Sequence, residues 1–144
     1  FLVINGANLN LLGIREPEIY GRMTYADLCR YIEEEAGRLG IFVSFFQSNH
    51  EGAIIDEIHS AYGKKDGIII NAGAFTHYSY AILDALKAVA LPTAEVHISD
   101  INAREAFRRN SVIRPACQVC IAGRGYEGYV DAIKELAQQI QNHG

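Results

Sequence analysis

Five short apolar runs alternate with amphipathic stripes along this chain, and that alternation restricts the fold more than any other feature. The runs are Phe1–Asn5, Ile41–Gln47, Gly67–Ala72, Ala94–Ile98 and Cys117–Ala122. The third carries Ile68, Ile69 and Ile70 with no polar residue between them, the mark of a strand covered on both faces. Between the runs, apolar residues recur at helical spacing. Tyr25, Leu28, Cys29, Ile32, Ala36 and Leu39 form one stripe, and Ile54, Ile55, Ile58 and Tyr62 form the next. Thr24 with Asp27, and Ser48 with Glu51, predict capping boxes, and Gly40 and Gly63 predict the stops. A third helix is predicted from Thr76 or His77 to Val89, with Pro92 beyond it. A short helix is predicted from Asp100 to before Pro115. A last helix, ending near Gln141, buries Val130, Ile133, Leu136, Ala137 and Ile140.

Strict β-α alternation predicts an α/β fold with a parallel sheet and helices on both faces. For five strands the expected order is 2-1-3-4-5, a flavodoxin-like three-layer sandwich. The 144 residues, 49% hydrophobic and 21% charged, suit a single domain over 1–144 with a sizeable core. No apolar run is long enough to span a bilayer, and Phe1–Ile4 is too short for a signal segment. A cytoplasmic protein with no membrane partner is expected. The net charge of −4 argues against nucleic acid as a partner. Three cysteines, an odd number, suit a reducing compartment. Cys117-x-x-Cys120 resembles half of a redox or zinc motif, but the pair lies in a strand, where residues three apart face opposite ways. No second pair follows at zinc spacing, so no metal is expected and both thiols are assigned to core packing.

In a sheet of this order, ligands sit beyond the carboxyl ends of the strands where the order reverses. The segments there are Asn5-Gly6-Ala7-Asn8-Leu9-Asn10, Asn71-Ala72-Gly73-Ala74-Phe75-Thr76-His77 and Glu95-Val96-His97-Ile98-Ser99-Asp100. They hold neither a dinucleotide glycine fingerprint nor a phosphate loop, so a polar, hydroxylated small molecule is the expected ligand. Each residue carries two readings. Asn8 and Asn71 either tie off their own loops or bind the ligand. His77, at a predicted helix start that disfavours its charged form, is structural or ligand-binding. Glu95 and His97 share a strand face and make either a buried polar pair or a catalytic histidine oriented by a carboxylate. Arg104, Arg108 and Arg109 form a solvated basic face, or Arg108 reaches the ligand. The predicted helix start beside Ile98 and Ser99 offers backbone N–H groups to a carboxylate.

The segment Gly13–Gly21 is long for a strand-to-helix loop in this architecture, and a long loop at the ligand end suits a lid. Arg15 and Tyr20 lie close in sequence within it. A cation beside a phenol favours the phenolate, which makes Tyr20 a candidate base as well as a partly packed loop aromatic.

Asn5-Gly6-x-Asn8-Leu9-Asn10-Leu11-Leu12-Gly13-x-Arg15-Glu16-Pro17-x-x-Tyr20-Gly21 resembles the opening signature of type II 3-dehydroquinate dehydratases. Gln47–Gly52, Asn71–His77, Glu95–Ser99 and Ala103–Arg108 are similar to later segments of that family, in the same order, so the resemblance covers essentially the whole chain. It implies a cofactor-free hydro-lyase that converts 3-dehydroquinate to 3-dehydroshikimate, in aromatic biosynthesis or quinate breakdown. By the same resemblance, Tyr20 takes the proton beside the ketone and Arg15 supports the tyrosinate. Asn8 stabilises the enolate through a bound water. His97, with Glu95 beside it, protonates the departing hydroxyl. Asn71, His77 and Arg108 bind substrate hydroxyls, Ile98 and Ser99 hold the carboxylate through their backbone, and Asp84 reaches a neighbouring subunit's site. A homododecamer built from trimers is implied as well.

The chemistry fits this inventory, because the substrate's ketone acidifies the adjacent C–H and a base, an acid and an enolate stabiliser suffice. No lysine stands at a matching site position, which disfavours the Schiff-base route of the unrelated type I enzymes. Three positions depart from the family pattern: Ala7 in place of proline, Leu83 in place of a basic residue, and Asp100 in place of asparagine. Two rivals share the fold. A flavodoxin-like ligand-binding module would bind without turnover, and a flavin site would also want a phosphate-cradling loop after the first strand, which is absent. A receiver domain needs clustered acids where Asn5, Asn8 and Asn71 stand.

Overall fold

Unbroken apolar strands need cover on both faces, and the central strands have it. In the computed structural model, which describes residues 1–143, the order is β1 (Leu2–Asn5), α1 (Pro17–Tyr20), α2 (Tyr25–Arg38), β2 (Ser44–Gln47), α3 (Glu51–Ala61), β3 (Ile68–Asn71), α4 (Tyr80–Val89), β4 (Thr93–His97), β5 (Val119–Ala122) and α5 (Glu127–His143). All pairings in the sheet are parallel, and the order is β2-β1-β3-β4-β5, the flavodoxin-like arrangement expected. Successive strand residues point to opposite faces. Leu2, Ile4, Ile68 and Ile70 accordingly pack with Ile54, Ile58, Ile82 and Leu86 of α3 and α4. Val3, Ile69, Ala94 and Val96 pack with Leu28, Ile32, Ile133 and Leu136 of α2 and α5. The described residues include no helix long and apolar enough to cross a membrane.

The register lines Asn5 up with Gln47 on one side and with Asn71 on the other. That brings the ends of β1 and β3 together. Their exit loops can touch only because two residues lack a side chain. A Cβ on Gly6 would lie 2.3 Å from the carbonyl oxygen of Ala72, and one on Gly73, at φ +61°, would lie 2.7 Å from that of Ala7.

Several local expectations are corrected. The Thr24–Asp27 capping box forms, but Ser48 and Glu51 make none, and His50 is the residue that precedes α3. The Ser48 hydroxyl accepts instead from the His50 amide at 2.9 Å, and the Ser79 hydroxyl donates to Glu51 at 2.5 Å, tying α4 to α3. The third helix starts at Tyr80 rather than near His77, because Ser79 caps it by accepting from the Ile82 amide; Gly73–His77 is a separate 3-10 turn. The segment after β4 is no helix. It breaks into 3-10 turns at Ile101–Ala103, Ala106–Arg108 and Arg114–Ala116, the first closed by the Asp100 carboxylate accepting from the Asn102 amide at 3.0 Å. Tyr62 is exposed and Leu39 is 42% exposed, so neither joins its stripe, while Leu83 is buried on α4. Nor do the two cysteines fill the core: Cys117 is half-buried and Cys120 exposed. β5 is an edge strand whose Val119 and Ile121 face α5, and Cys120 points to the opposite face, where it is exposed.

Candidate active site

The exit loops of β1, β3 and β4, roofed by the Gly13–Gly21 segment, enclose a cavity of about 150 Å³. Asn8 comes from the first loop, Asn71 and His77 from the second, His97, Ile98 and Ser99 from the third, and Arg15 and Tyr20 from the roof. Arg104 and Arg108 complete the wall from the turns after β4.

His97 ends β4 with its Nε2 2.5 Å from Glu95 Oε2. Glu95 is 0% exposed, and its other oxygen lies 3.4 Å from Arg114 Nε. Burial opposes ionisation of this carboxyl most strongly. The hydrogen bond and charge of His97, with the Arg114 guanidinium, outweigh it and hold the group below the usual carboxylate range. An ionised Glu95 accepts the Nε2–H, so the imidazole is oriented with Nδ1 as its free nitrogen.

Tyr20 closes the short helix α1, which starts at Pro17, a residue suited to a first helical position. An Arg104 N–H donates to the Tyr20 hydroxyl oxygen. The guanidinium carbons of Arg15 and Arg104 lie 5.0 and 5.5 Å from the centre of its ring. Glu16 stands 3.9 Å from Arg15 and 3.7 Å from Arg104, linking the two cations. The Tyr126 hydroxyl, ahead of α5, donates to the Tyr20 carbonyl and anchors the roof from the other side.

His77 Nδ1 lies 2.8 Å from the Asn110 carbonyl. A carbonyl only accepts, so Nδ1 carries the hydrogen and Nε2 of the neutral ring is an acceptor. Burial, helped by nearby His97 and Arg108, holds this imidazole below its ordinary range against the pull of the Asn110 carbonyl. Burial thus replaces the helix dipole expected to keep it neutral. Asn8 adopts the left-handed conformation at φ 70°, and its amide donates to Asn49 Oδ1 at 2.8 Å. Arg108 Nε is held 2.8 Å from Glu105. Ile98 and Ser99 accept from the Gly125 and Gly123 amides through their carbonyls, with no α-helix N-terminus behind them.

The family model described as Dehydroquinase class II matches residues 1–137. The chain belongs to the class II dehydroquinase family. It is 61% identical to the 3-dehydroquinate dehydratase of Caldicellulosiruptor bescii, over 95% of each chain. It is 55% identical to the enzyme of that name from Clostridium acetobutylicum, over 96% of each. The crystal structure of the type II dehydroquinase from Butyrivibrio crossotus superposes with a TM-score of 0.92 at 54% identity, covering 94% of this chain and 95% of that one.

Within this dehydroquinase fold, Asn8, Arg15, Tyr20, Asn71, His77, His97, Ile98, Ser99 and Arg108 line one cavity, with Glu95 directly behind His97. Asp84 does not line it; it sits exposed on α4. Asp100 does not line it either, since its carboxylate turns back to its own loop. Sequence reasoning passed over Arg104, reading it as part of a basic surface, yet its side chain is 14% exposed and bonded to Tyr20. Asn49 and Tyr126 were missed as supports of Asn8 and Tyr20. The only sequence signal for any of the three is membership of the polar loop segments.

Proposed function

We propose that this chain dehydrates 3-dehydroquinate to 3-dehydroshikimate through an enolate. The observation that carries the reading is the pairing, on walls of one small cavity, of a phenol that accepts from a guanidinium with an imidazole backed by a buried carboxylate. Tyr20, with the guanidinium groups of Arg15 and Arg104 against it, acts as the base that removes the proton from the carbon beside the ketone. The electron pair moves onto the ketone oxygen, where Asn8 stabilises the enolate. The enolate then re-forms the ketone as the carbon–carbon double bond forms and the hydroxyl β to it leaves. His97, oriented by Glu95, acts as the acid that delivers a proton to the leaving hydroxyl, so that water departs. Asn71, His77 and Arg108 hold substrate hydroxyls, and the backbone at Ile98 and Ser99 meets the carboxylate. The chemistry asks for no cofactor or metal, because the ketone itself stores the charge.

The same reading treats residues 1–144 as one catalytic domain of a cytoplasmic homododecamer serving aromatic biosynthesis or quinate breakdown. An exposed Asp84 that does not line its own cavity suits a residue that completes a neighbouring subunit's site.

The test is the absorbance of the conjugated enone as 3-dehydroquinate is added to the purified protein. Turnover by wild type, with large losses in Tyr20→Phe and His97→Ala, is the expected result. A folded wild type that produces no enone would refute the proposal.

A further inference from the structure

Tyr129 lies on α5, does not line the cavity, and is 0% exposed. Its ring packs in the apolar cluster between the sheet, α2 and α5, and its hydroxyl sits between two asparagines that end adjacent strands. Asn71 Nδ2 donates to the Tyr129 oxygen at 3.0 Å. The Tyr129 hydroxyl donates onward to Asn5 Oδ1 at 2.6 Å. Asn71 Oδ1 accepts from the Gly73 amide at 3.1 Å.

We infer that Tyr129 is a positioning residue that, with the Gly73 amide, sets which end of the Asn71 carboxamide faces the ligand. The argument is a count of hydrogens. The Gly73 backbone amide can only donate, which puts Asn71 Oδ1 beside it and the NH2 end toward Tyr129. The phenol oxygen accepts there, so its one proton goes on to Asn5 Oδ1. A flipped carboxamide would set two donors against each other at Gly73. One Nδ2 hydrogen is left over on a side chain that lines the cavity. Asn71 thus meets its ligand as a donor, to an acceptor such as a substrate hydroxyl oxygen. Burial also pushes the Tyr129 phenol upward and keeps it protonated, as the relay requires. α5 contributes nothing to the cavity wall directly, so this is a route by which it acts on the site.

The inference rests on the dehydratase reading for its catalytic half. The experiment compares Tyr129→Phe, Asn71→Ala and the double variant, each checked for assembly, with kcat and KM on 3-dehydroquinate and a crystal structure of Tyr129→Phe. The phenylalanine keeps the packing and deletes only the relay. It is expected to lower kcat/KM by about tenfold, the scale of one hydrogen bond, and to leave the carboxamide held only by the Gly73 amide, so that it shifts or becomes more mobile. The double variant is expected to be no worse than Asn71→Ala, because Tyr129 acts only through Asn71. Losses that multiply in the double variant, or a lowered melting temperature with unchanged kcat/KM, would overturn the inference in favour of a packing role. A carboxamide that stays in place in the Tyr129→Phe crystal would overturn it as well, whatever the kinetics. A wild type that makes no enone would overturn the dehydratase reading and this catalytic role with it, while the crystal structure still shows whether the Asn71 carboxamide keeps its place without the Tyr129 hydroxyl.

Discussion

Replacing Glu95 by Gln isolates the contribution of one buried charge. The side chain has no solvent contact, and its two oxygens face two donors, His97 Nε2 at 2.5 Å and Arg114 Nε at 3.4 Å. A glutamine of the same shape keeps one acceptor and turns an NH2 toward the other donor, so one contact becomes a clash of hydrogens. Removing one member of a buried pair costs about 3–5 kcal/mol, and the acceptor that glutamine keeps returns part of that, on the order of 1 kcal/mol. A net loss of about 2–4 kcal/mol is expected, which for a chain of this size lowers Tm by about 4–16 °C. The loss of orientation at His97 acts separately, on the barrier, and is expected to lower kcat by about 10²-fold, the low end for general acid catalysis. The pH dependence follows from the lowered folded-state value of Glu95. Its stability contribution is fully present above the unfolded value near 4.3, about that of a free glutamate, and is lost as pH falls through the lower folded value. Wild type should therefore lose stability in that acid window, and Glu95→Gln should lose less of what it retains. Enone absorbance gives kcat and thermal unfolding from pH 3 to 7 gives the stability. A Glu95→Gln protein with wild-type kcat and an unchanged acid limb would refute the role of the carboxylate.

Arg104→Ala is expected to lower kcat by about 10²-fold, the low end for losing base function, because its N–H bonds the Tyr20 oxygen. Arg104→Lys should restore only part, lacking the planar fork; steady-state kinetics at wild-type level for the alanine variant would exclude the contact in solution. Gly6→Ala drives a Cβ to within 2.3 Å of the Ala72 oxygen and should cost at least about 1–3 kcal/mol, the range for overpacking. Chemical denaturation reads it, and an unshifted midpoint would show that the two exit loops do not touch.

The sheet was legible because its signals are local. Short apolar runs separated by amphipathic stripes leave few topologies, and strict alternation points to the observed order even though 3-10 turns replace the helix expected after β4. Glu95 and His97 were legible for the same reason, since a period of two puts both on one face whatever lies beyond the strand. Helix boundaries set by competing caps were harder. Ser48 and Glu51 make a capping box on paper, but Glu51 accepts instead from Ser79, 28 residues away, a contact that no local pattern shows. Cys120 shows the corresponding limit at a sheet edge. Alternation predicts which way it points, but whether a helix lies over that face is a property of the whole chain.

The unread part of the site has one physical cause. Tyr20 and Arg104 are separated by 84 residues and sit in segments without periodicity, so no spacing rule can bring them together. Arg15, five residues from Tyr20, was the natural choice as its partner, and it does stack on the ring, but the hydroxyl goes to Arg104. Tyr129 was hidden differently. It adjoins the apolar stripe of α5 and looks like core, which its ring is; only its oxygen belongs to the site, through Asn71. Function here depends on single polar atoms at the ends of apolar elements. Periodicity ranks whole side chains by where they pack, and so it places such an atom correctly while giving no sign of what the atom does.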